Sequence, residues 1–520
     1  MFSIFQRTIH LKQSIHLVIF CFFLYKLTET ILQYGTRIEI YKIICLSFIN
    51  STKIEKNICS GENDNIDVDY DHDDAVKHSI NDQLLPKIQR LSGYYLLTYR
   101  ILLNLPATIA CFVYGICSNK YGHKISMLIP CLGAVIACTL FSLSILPNNN
   151  IIHYSVIYIL IGGFIYGICG KSSAITMGAN SYITDMTNID NRTCMLGRLL
   201  GINCLGLSIG TLCLGLFLTF LNYSNSIIFC ALSNLFIVLI LLFFVVDSKS
   251  VENTPILHNN DNNNNNNRSI HLTVPCTRSM TTSNNHTMKL YDFIQTTIIE
   301  QFYQSYKFLF PKNLNEKHKL LLILLFTVLF NQMTKSGEQD IILLYLRNEP
   351  TLWTSQLYSY YLTCYYGCMF IHLTLILPII EQKFTFHDTT FILIGLLLKI
   401  IRLLLFSITK HKGWLFFGAI IGSAAGYITS STRSIISKLI YKTEISSSFA
   451  LISIFETIAN LFGGLLFTII YNYTITFMAS FIFILDALLH VLIMILFIWL
   501  RFKLILFEKT INYGENNQYY

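Results

Sequence analysis

The sequence predicts an all-α membrane protein with twelve transmembrane helices arranged as two six-helix halves. Of its 520 residues, 53% are hydrophobic and only 13% are charged, and the mean hydropathy of +0.53 is too high for a soluble domain of this length. A helix that crosses a bilayer needs about 20 mainly apolar residues, and roughly twelve runs of that length occur. Because these runs do not alternate apolar and polar residues, they predict helices and not a barrel. We number them spans 1 to 12; their centres lie near residues 26, 105, 135, 163, 208, 237, 332, 368, 398, 427, 458 and 488.

A polar segment divides the chain in the middle. Spans 1 to 6 end near Val246, and the next apolar run begins near Leu320, with the low-complexity stretch HNNDNNNNNNR between them. We therefore predict an N-terminal half over 1–247, a cytoplasmic linker over 248–318, a C-terminal half over 319–505 and a cytoplasmic tail over 506–520. Two similar halves with a site between them near the membrane midplane are typical of transporters. The number of helices alone also fits a channel or a receptor.

The distribution of charge predicts the orientation. The loop over about 37–90 is acidic (GENDNIDVDYDHDD), whereas the linker, the tail and the stretch NKYGHK are basic, which places both termini in the cytoplasm. The N-terminal apolar run lacks a small-residue cleavage site, so we interpret it as span 1 and not as a signal peptide. Sequons at Asn50, Asn222 and Asn472 fall in predicted outer loops and are candidate glycosylation sites, and we favour the plasma membrane over the endolysosomal membrane.

Several functions are disfavoured by what the sequence lacks. The fifteen cysteines are scattered and show no zinc-binding spacing, so we predict no metal site and no cofactor. The net charge of +8 follows the membrane orientation and does not indicate a nucleic-acid partner. No Gly-rich phosphate loop or nucleophile elbow is present, so an enzyme is not expected.

The stretch GICSNKYGHK between spans 2 and 3 carries the first family signal. A hairpin on the cytoplasmic side needs a tight turn, which a glycine permits, and basic residues that keep it inside. The spacing resembles the G-x-x-x-D-K/R-x-G-R/K-R/K signature of the major facilitator superfamily, where the acidic residue belongs to a cytoplasmic gate. Here the acidic position is an asparagine, so the implied gate lacks that charge. The matching residues are Gly115, Asn119, Lys120, Gly122, His123 and Lys124.

Four further stretches point to a narrower family. SYITDMTNIDNRT, GEQDIILLYLRNEPTLW, TRSIISKLIYKTE and NLFGGLLFTIIYNYTI occur in the order, and in the spans, where similar stretches occur in the solute carrier 46 family. That family contains the proton-coupled folate transporter. The resemblance implies a major facilitator fold, a substrate-binding role for Arg433, an acidic gate residue at Asp185, and a match of Gln339 and Asp340 to a Gln-Asp pair of span 7.

Two departures from that family concern proton coupling and substrate. The position of its span 5 glutamate is Leu200, and the position of its span 7 histidine is Lys335. The resemblance therefore implies the architecture of the folate transporter without two residues linked to its proton coupling. Cys59 matches an outer-loop cysteine of the family, but the position of its disulfide partner is Leu352.

Charged residues within spans are costly, by about 2.5–3.5 kcal/mol each, so those that occur usually face a cavity or a partner. Glu456 lies mid-span, where it either binds and releases a proton or pairs with Arg433. We expect Lys335 and Glu338 to offset each other's charge one helical turn apart, at a place where Gly337 loosens the helix. We expect Lys399 and Arg402 to extend toward the membrane surface and Arg198 to lie near the cytoplasmic end of span 5, which is where that span begins. The remaining charged residues within spans are Lys26, Glu29, Arg100, Asp340 and Asp486.

Together these observations predict a secondary transporter that moves a small organic, anionic solute by alternating access. We expect Arg433, Lys335 and Gln339 to bind the substrate, and we name Glu456, Glu338 and Asp340 as proton-coupling candidates. The predicted partners are a small molecule, protons and the lipid bilayer. The alternatives are a family transporter of a bile-acid-like or peptidoglycan-derived solute, and a membrane sensor that does not transport.

Overall fold

The computed structural model describes residues 2–48, 74–145, 152–186, 189–245, 316–348, 352–383, 388–439 and 445–516. Over these ranges the regular structure is helical throughout and contains no strand. Eleven helical segments are long and apolar enough to cross a membrane. Span 2 lies between the first two of them in the chain, and it completes the twelve-helix arrangement.

The N-terminal half contains spans 1 to 6. Spans 1 and 2 are long helices, and span 4 is made of two helices that meet within the membrane. Their bounds are Phe2–Phe48 (span 1), Asp74–Tyr121 (span 2), Lys124–Ile145 (span 3), Ile152–Ile168 with Lys171–Met186 (span 4), Ile189–Phe220 (span 5) and Tyr223–Phe243 (span 6).

The C-terminal half contains spans 7 to 12. Span 8 includes a five-residue π-helical stretch, and span 10 includes a three-residue 3-10 stretch. The bounds are Glu316–Leu346 (span 7), Ser355–Ile371, His372–Ile376 and Leu377–Lys383 (span 8), Asp388–Ile408 (span 9), Lys412–Gly422, Ser423–Ala425 and Gly426–Leu439 (span 10), Ile445–Met478 (span 11) and Phe481–Asn516 (span 12).

Some element boundaries differ from those predicted. Span 1 continues to Phe48, so residues 37–48 are helix and not outer loop, because the isoleucines of TRIEIYKIICL continue an apolar helix face that packs inside the protein. Span 12 runs to Asn516, past the predicted boundary at 505. Of the predicted linker, residues 248–315 lie outside the described residues, and residues 316–318 already belong to span 7.

The break that we predicted in span 7 is not there. Span 7 is one continuous helix, and Gly337 provides the space for the ring of Phe467 from span 11. The break occurs instead in span 4, where Gly170 has φ +83° and Lys171 has φ +36°. A positive φ is disfavoured for a lysine, so the backbone there is held by its surroundings.

Glycines allow the helices of the C-terminal half to pack closely. Gly463 of span 11 lies against the backbone of Met333 in span 7, whereas the nearest atom to a methyl group added at Gly418 would be 3.6 Å away. We expect Gly463→Ala to lower stability by about 1–3 kcal/mol, because the added methyl group separates two packed backbones. Gly418→Ala is the matched control and should change stability by less than about 0.5 kcal/mol. Equal melting temperatures of the two purified variants would contradict this packing.

Candidate functional site

The two halves enclose a polar cavity near the middle of the spans. It consists of two adjoining parts that share several lining residues, among them Lys26 and Asn203 of the N-terminal half and Lys335 and Asn460 of the C-terminal half. We call the two parts together the central cavity. Its walls come from spans 1, 2, 4, 5, 7, 10 and 11, so both halves contribute to it.

The central cavity carries an excess of positive charge. Six basic and three acidic side chains line it, which leaves a formal excess of three positive charges. In surroundings of low dielectric constant such an excess is costly unless an anion offsets it. The residues are Lys26, Arg37, Arg100, Lys171, Lys335 and Arg433 on the basic side and Glu29, Asp340 and Glu456 on the acidic side.

Asp340 connects three spans. Its Oδ1 lies 2.8 Å from Nη2 of Arg37, and its Oδ2 lies 2.7 Å from Nε of Arg100. Nη1 of Arg100 also donates to Oγ of Ser336 at 2.7 Å and to the carbonyl of Asn460 at 3.1 Å. These five residues, which we call the Asp340 cluster, join spans 1 and 2 of the N-terminal half to spans 7 and 11 of the C-terminal half.

The position of the Asp340 cluster follows from the chain direction. Arg37 and Asp340 lie near the C-terminal ends of spans 1 and 7, which the charge pattern predicts to be outside. Beside the cluster, Gln339 donates to the hydroxyl of Tyr366 at 2.9 Å, and this hydroxyl lies 2.6 Å from that of Tyr34. The cluster therefore joins the two halves on the predicted outer side of the cavity.

A second set of charges lies toward the other end of the cavity. Arg433 Nη2 lies 2.6 Å from Glu456 Oε1, so the structure has the ion pair that we considered as one alternative for Glu456. In span 1, Lys26 lies 3.1 Å from Glu29 and also donates to the hydroxyl of Ser172. Both ion pairs line the cavity, and each lies within one half.

Lys335 differs from these paired residues. Its side chain is partly buried and lines both parts of the central cavity. It makes no ion pair or hydrogen bond with any residue that the structure describes, so the predicted pairing with Glu338 is wrong. A lysine ammonium in that position can bind an anion directly.

Glu338 instead contacts Arg402 of span 9, and both side chains are buried. We predicted that Arg402 and Lys399 extend toward the membrane surface, but each is only 3% exposed. The prediction is wrong because span 9 turns these two residues inward, where carboxylates of spans 7 and 12 offset their charge. Arg198 is exposed near the start of span 5, as predicted.

Lys171 follows directly on the helix break of span 4. The break turns its side chain across to span 2, where the ammonium donates to Oδ1 of Asn104. Ser172 and Ser173, at the start of the second helix of span 4, also line the cavity. The irregular backbone of span 4 thus presents a lysine and two hydroxyl groups to the central cavity.

The predicted gate residues lie at the turn between spans 2 and 3. Gly122 has φ +96°, so it makes the tight turn that we expected of a glycine there. His123 is buried, and Lys124 donates to the carbonyls of Leu242 (2.9 Å) and Val245 (3.1 Å) at the end of span 6. Gly115, Asn119 and Lys120 belong to the last turns of span 2, and Asp185 lies next to the end of span 4. Their side chains lie outside the described part of the chain.

The three candidate glycosylation sites occupy different environments. Asn222 is exposed at the connection between spans 5 and 6. Asn472 is inside span 11 and only 6% exposed, so its predicted position in an outer loop is wrong; the helix continues through NYTITFM to Met478. Asn50 lies outside the described residues.

Two basic residues of the site, Arg37 and Lys171, were not among the predicted site residues. Arg37 was placed in the outer loop, although the isoleucine spacing around it indicates a continuing helix. Lys171 was not considered, although the Gly-Lys-Ser-Ser sequence at 170–173 is an unusually polar interruption of span 4.

These helices and this cavity define a class of protein: a multi-pass membrane transporter with its site between two helical halves. The profile of the Major Facilitator Superfamily matches residues 92–409, and the chain belongs to that superfamily. It is therefore a secondary transporter and not an enzyme.

Solved structures of other transporters share the fold. The human organic anion transporter MFSD10 (TETRAN) aligns with a TM-score of 0.60 at 12% identity, over 92% of this chain and 99% of its own. A D-xylose-proton symporter aligns with a TM-score of 0.55 at 12% identity, over 92% of this chain and 96% of its own. The xylose transporter XylE of E. coli, in a partially occluded inward-open conformation, aligns with a TM-score of 0.51 at 13% identity, over 90% of this chain and 98% of its own.

Proposed function

We propose that this protein moves a small organic anion across the membrane by alternating access. The observation that carries the proposal is the excess of three positive charges on the walls of the central cavity. A neutral sugar would leave that excess without a counter-charge, whereas a carboxylate or a similar anion offsets it. One structural neighbour, MFSD10 (TETRAN), is an organic anion transporter, which is consistent with the proposal.

The basic residues are divided between the halves in a way that suits alternating access. Lys26, Arg37, Arg100 and Lys171 belong to the N-terminal half, and Lys335 and Arg433 belong to the C-terminal half. An anion bound between Lys335 and the N-terminal basic residues interacts with both halves at once. Binding then favours conformations in which the halves approach each other around the substrate.

The Asp340 cluster provides the closing contact on the predicted outer side. It joins the halves through two ion pairs that are buried, so opening that side requires the arginines to separate from Asp340. We infer that Asp340 acts as a gate residue here. Of the proton-coupling candidates, Glu338 is paired with Arg402 and does not line the cavity, whereas Asp340 and Glu456 do. Because two arginines hold Asp340 in the gate, we assign proton coupling to Glu456, which is paired with one.

Coupling to protons through Glu456 gives a direct test. Its carboxylate is paired with Arg433, and a proton taken up there would release Arg433 to the substrate. Uptake should be faster when the outside is acidified, and Glu456→Gln should abolish that acceleration. Uptake that is indifferent to pH in the wild-type protein would rule out coupling at this site.

The substrate class is tested by ligand-induced stabilisation of the purified full-length protein. A panel of folates, bile acids, peptidoglycan fragments, neutral sugars and organic cations is added at two pH values, and the melting temperature is measured. A ligand that binds only the folded state, at a free concentration of about 100 times its Kd, raises the free energy of unfolding by about 2.7 kcal/mol. We expect stabilisation by at least one organic anion and none by xylose. Stabilisation by neutral sugars alone would contradict the proposal.

We further propose that the chain belongs to the solute carrier 46 family. Folate is one candidate substrate within that proposal. The Gln339 and Asp340 positions support the family, and both lie at the cavity. Lys335 at the histidine position argues for an anionic substrate that is bound differently from folate. A membrane sensor that binds the same anion would show the stabilisation without any flux.

A further inference from the structure

A second set of ionisable groups is buried inside the C-terminal half, away from the central cavity. Asp486 and His490 of span 12 are 1% and 0% exposed, and neither lines the cavity. Burying such groups among apolar helices is costly, so their presence requires a role. Apart from the approach of the His490 ring to Oδ1, the carboxylate oxygens of Asp486 have no hydrogen-bond donor among the described residues.

One nitrogen of His490 faces two acceptors. Nδ1 lies 2.8 Å from the carbonyl oxygen of Asp486 and 3.0 Å from its Oδ1. The backbone carbonyl oxygen can only accept a hydrogen bond, and the same is true of Oδ1 when the carboxyl group is ionised. The geometry therefore places a proton on Nδ1.

The other nitrogen of His490 faces span 7. Nε2 lies 3.4 Å from Oγ1 of Thr334, and the hydroxyl of Thr334 donates its own proton to the carbonyl of Asn331 at 3.1 Å. The Thr334 hydroxyl can accept from a protonated Nε2 while it donates to Asn331, or it can turn and donate to an unprotonated Nε2. The contact therefore fits both the neutral ring and the imidazolium, in which both nitrogens carry a proton.

Further charged groups surround the pair. Span 9 contributes Lys399 and Arg402, and span 7 contributes Glu338, which is paired with Arg402. With His490 neutral, the two basic and two acidic groups balance; with His490 protonated, the cluster has one excess positive charge.

From this geometry we propose that Asp486 and His490 form a proton-binding site inside the C-terminal half, separate from the central cavity. The site contacts span 7, which also lines the central cavity, through Thr334. Thr334 and Lys335 are consecutive, about 100° apart around the helix, so one faces His490 while the other faces the cavity. Protonation of His490 therefore changes a contact on the helix that carries Lys335, and it can be measured without any substrate.

The test is nitrogen-15 NMR of histidine-labelled full-length protein in lipid nanodiscs, with the His490 signals assigned by their loss in His490→Gln. Spectra are recorded from about pH 5 to about pH 8, the range in which histidines usually titrate. We expect imidazolium signals from both His490 nitrogens at the acid end that convert to a neutral form within the range. In Asp486→Asn, the imidazolium share at about pH 6 should fall at least about three-fold.

Two further measurements keep the test decisive if Asp486→Asn does not fold. Thr334→Val retains the carboxylate, so it should change the Nε2 signal more than the Nδ1 signal. His411, which is exposed between spans 9 and 10, is the internal control, and its signals should not differ between the variants. The proposal is overturned if His490 stays neutral at every pH, if Asp486→Asn titrates as wild type does, or if Thr334→Val leaves both signals unchanged.

Discussion

Replacing Asp340 by asparagine is expected to reduce uptake at least about ten-fold and to lower the melting temperature of the purified protein. Arg37 and Arg100 are 4% and 6% exposed, and both would lose their carboxylate partner. Removing one partner from a buried ion pair costs about 3–5 kcal/mol, because the remaining charge is left without compensation. The same change removes the charged contact between spans 1, 2 and 7, so the predicted outer side should close less often.

The double variant Arg37→Gln with Asp340→Asn separates the effect on charge from the effect on the gate. It removes one buried cation together with the anion, so we expect its melting temperature to lie between those of wild type and Asp340→Asn. Uptake should stay low in the double variant, since the contact between the halves is still missing. An Asp340→Asn protein that melts and transports like wild type would contradict the gate that we assign to the Asp340 cluster.

Replacing Lys335 by glutamine is expected to weaken binding of the organic anion by about 10- to 100-fold. The ammonium faces the cavity and has no ion-pair partner among the described residues, so its charge is available to the substrate. A hydrogen bond to a charged group contributes about 1.5–3 kcal/mol, which corresponds to that range of affinity. The change also reduces the excess positive charge of the cavity, so the melting temperature without ligand should not fall.

Two variants control for the loss of charge at Lys335. Lys335→Arg keeps the positive charge and should retain most of the affinity, within about ten-fold of wild type. Lys412→Gln removes an exposed lysine at the start of span 10 and should leave the affinity unchanged. The dissociation constants come from ligand titrations of the melting temperature. If Lys335→Gln binds the anion as tightly as wild type does, Lys335 is not a substrate residue.

The fold could be predicted from the sequence because its signals are local. Long apolar runs predict helices in a membrane, and the turn at Gly122 requires only a glycine at the right position of a short motif. The boundaries were less predictable where polar residues sit in a helix that is buried by protein and not by lipid. The end of span 1 at Phe48 and the inclusion of Asn472 in span 11 are examples.

The charged residues of the site could be identified in part, but their pairing could not. The ion pair between Arg433 and Glu456 is one of the two alternatives that the sequence offers for Glu456, because spans 10 and 11 are consecutive in the chain. Asp340 with Arg37 joins residues from different halves, and no local pattern indicates such a contact. Glu338 had a plausible partner one turn away in Lys335, yet the packing of span 9 against span 7 brings Arg402 to it instead.

The most direct test of the central claim is a flux measurement with the purified protein reconstituted in liposomes. The organic anion that stabilises the protein most is supplied in labelled form outside vesicles that contain the unlabelled anion. We predict saturable, protein-dependent exchange of the label that is lost in Lys335→Gln and not inhibited by xylose. Binding of the anion without any exchange would show a sensor and not a transporter, and exchange of xylose that ignores the anion would contradict the proposed substrate class.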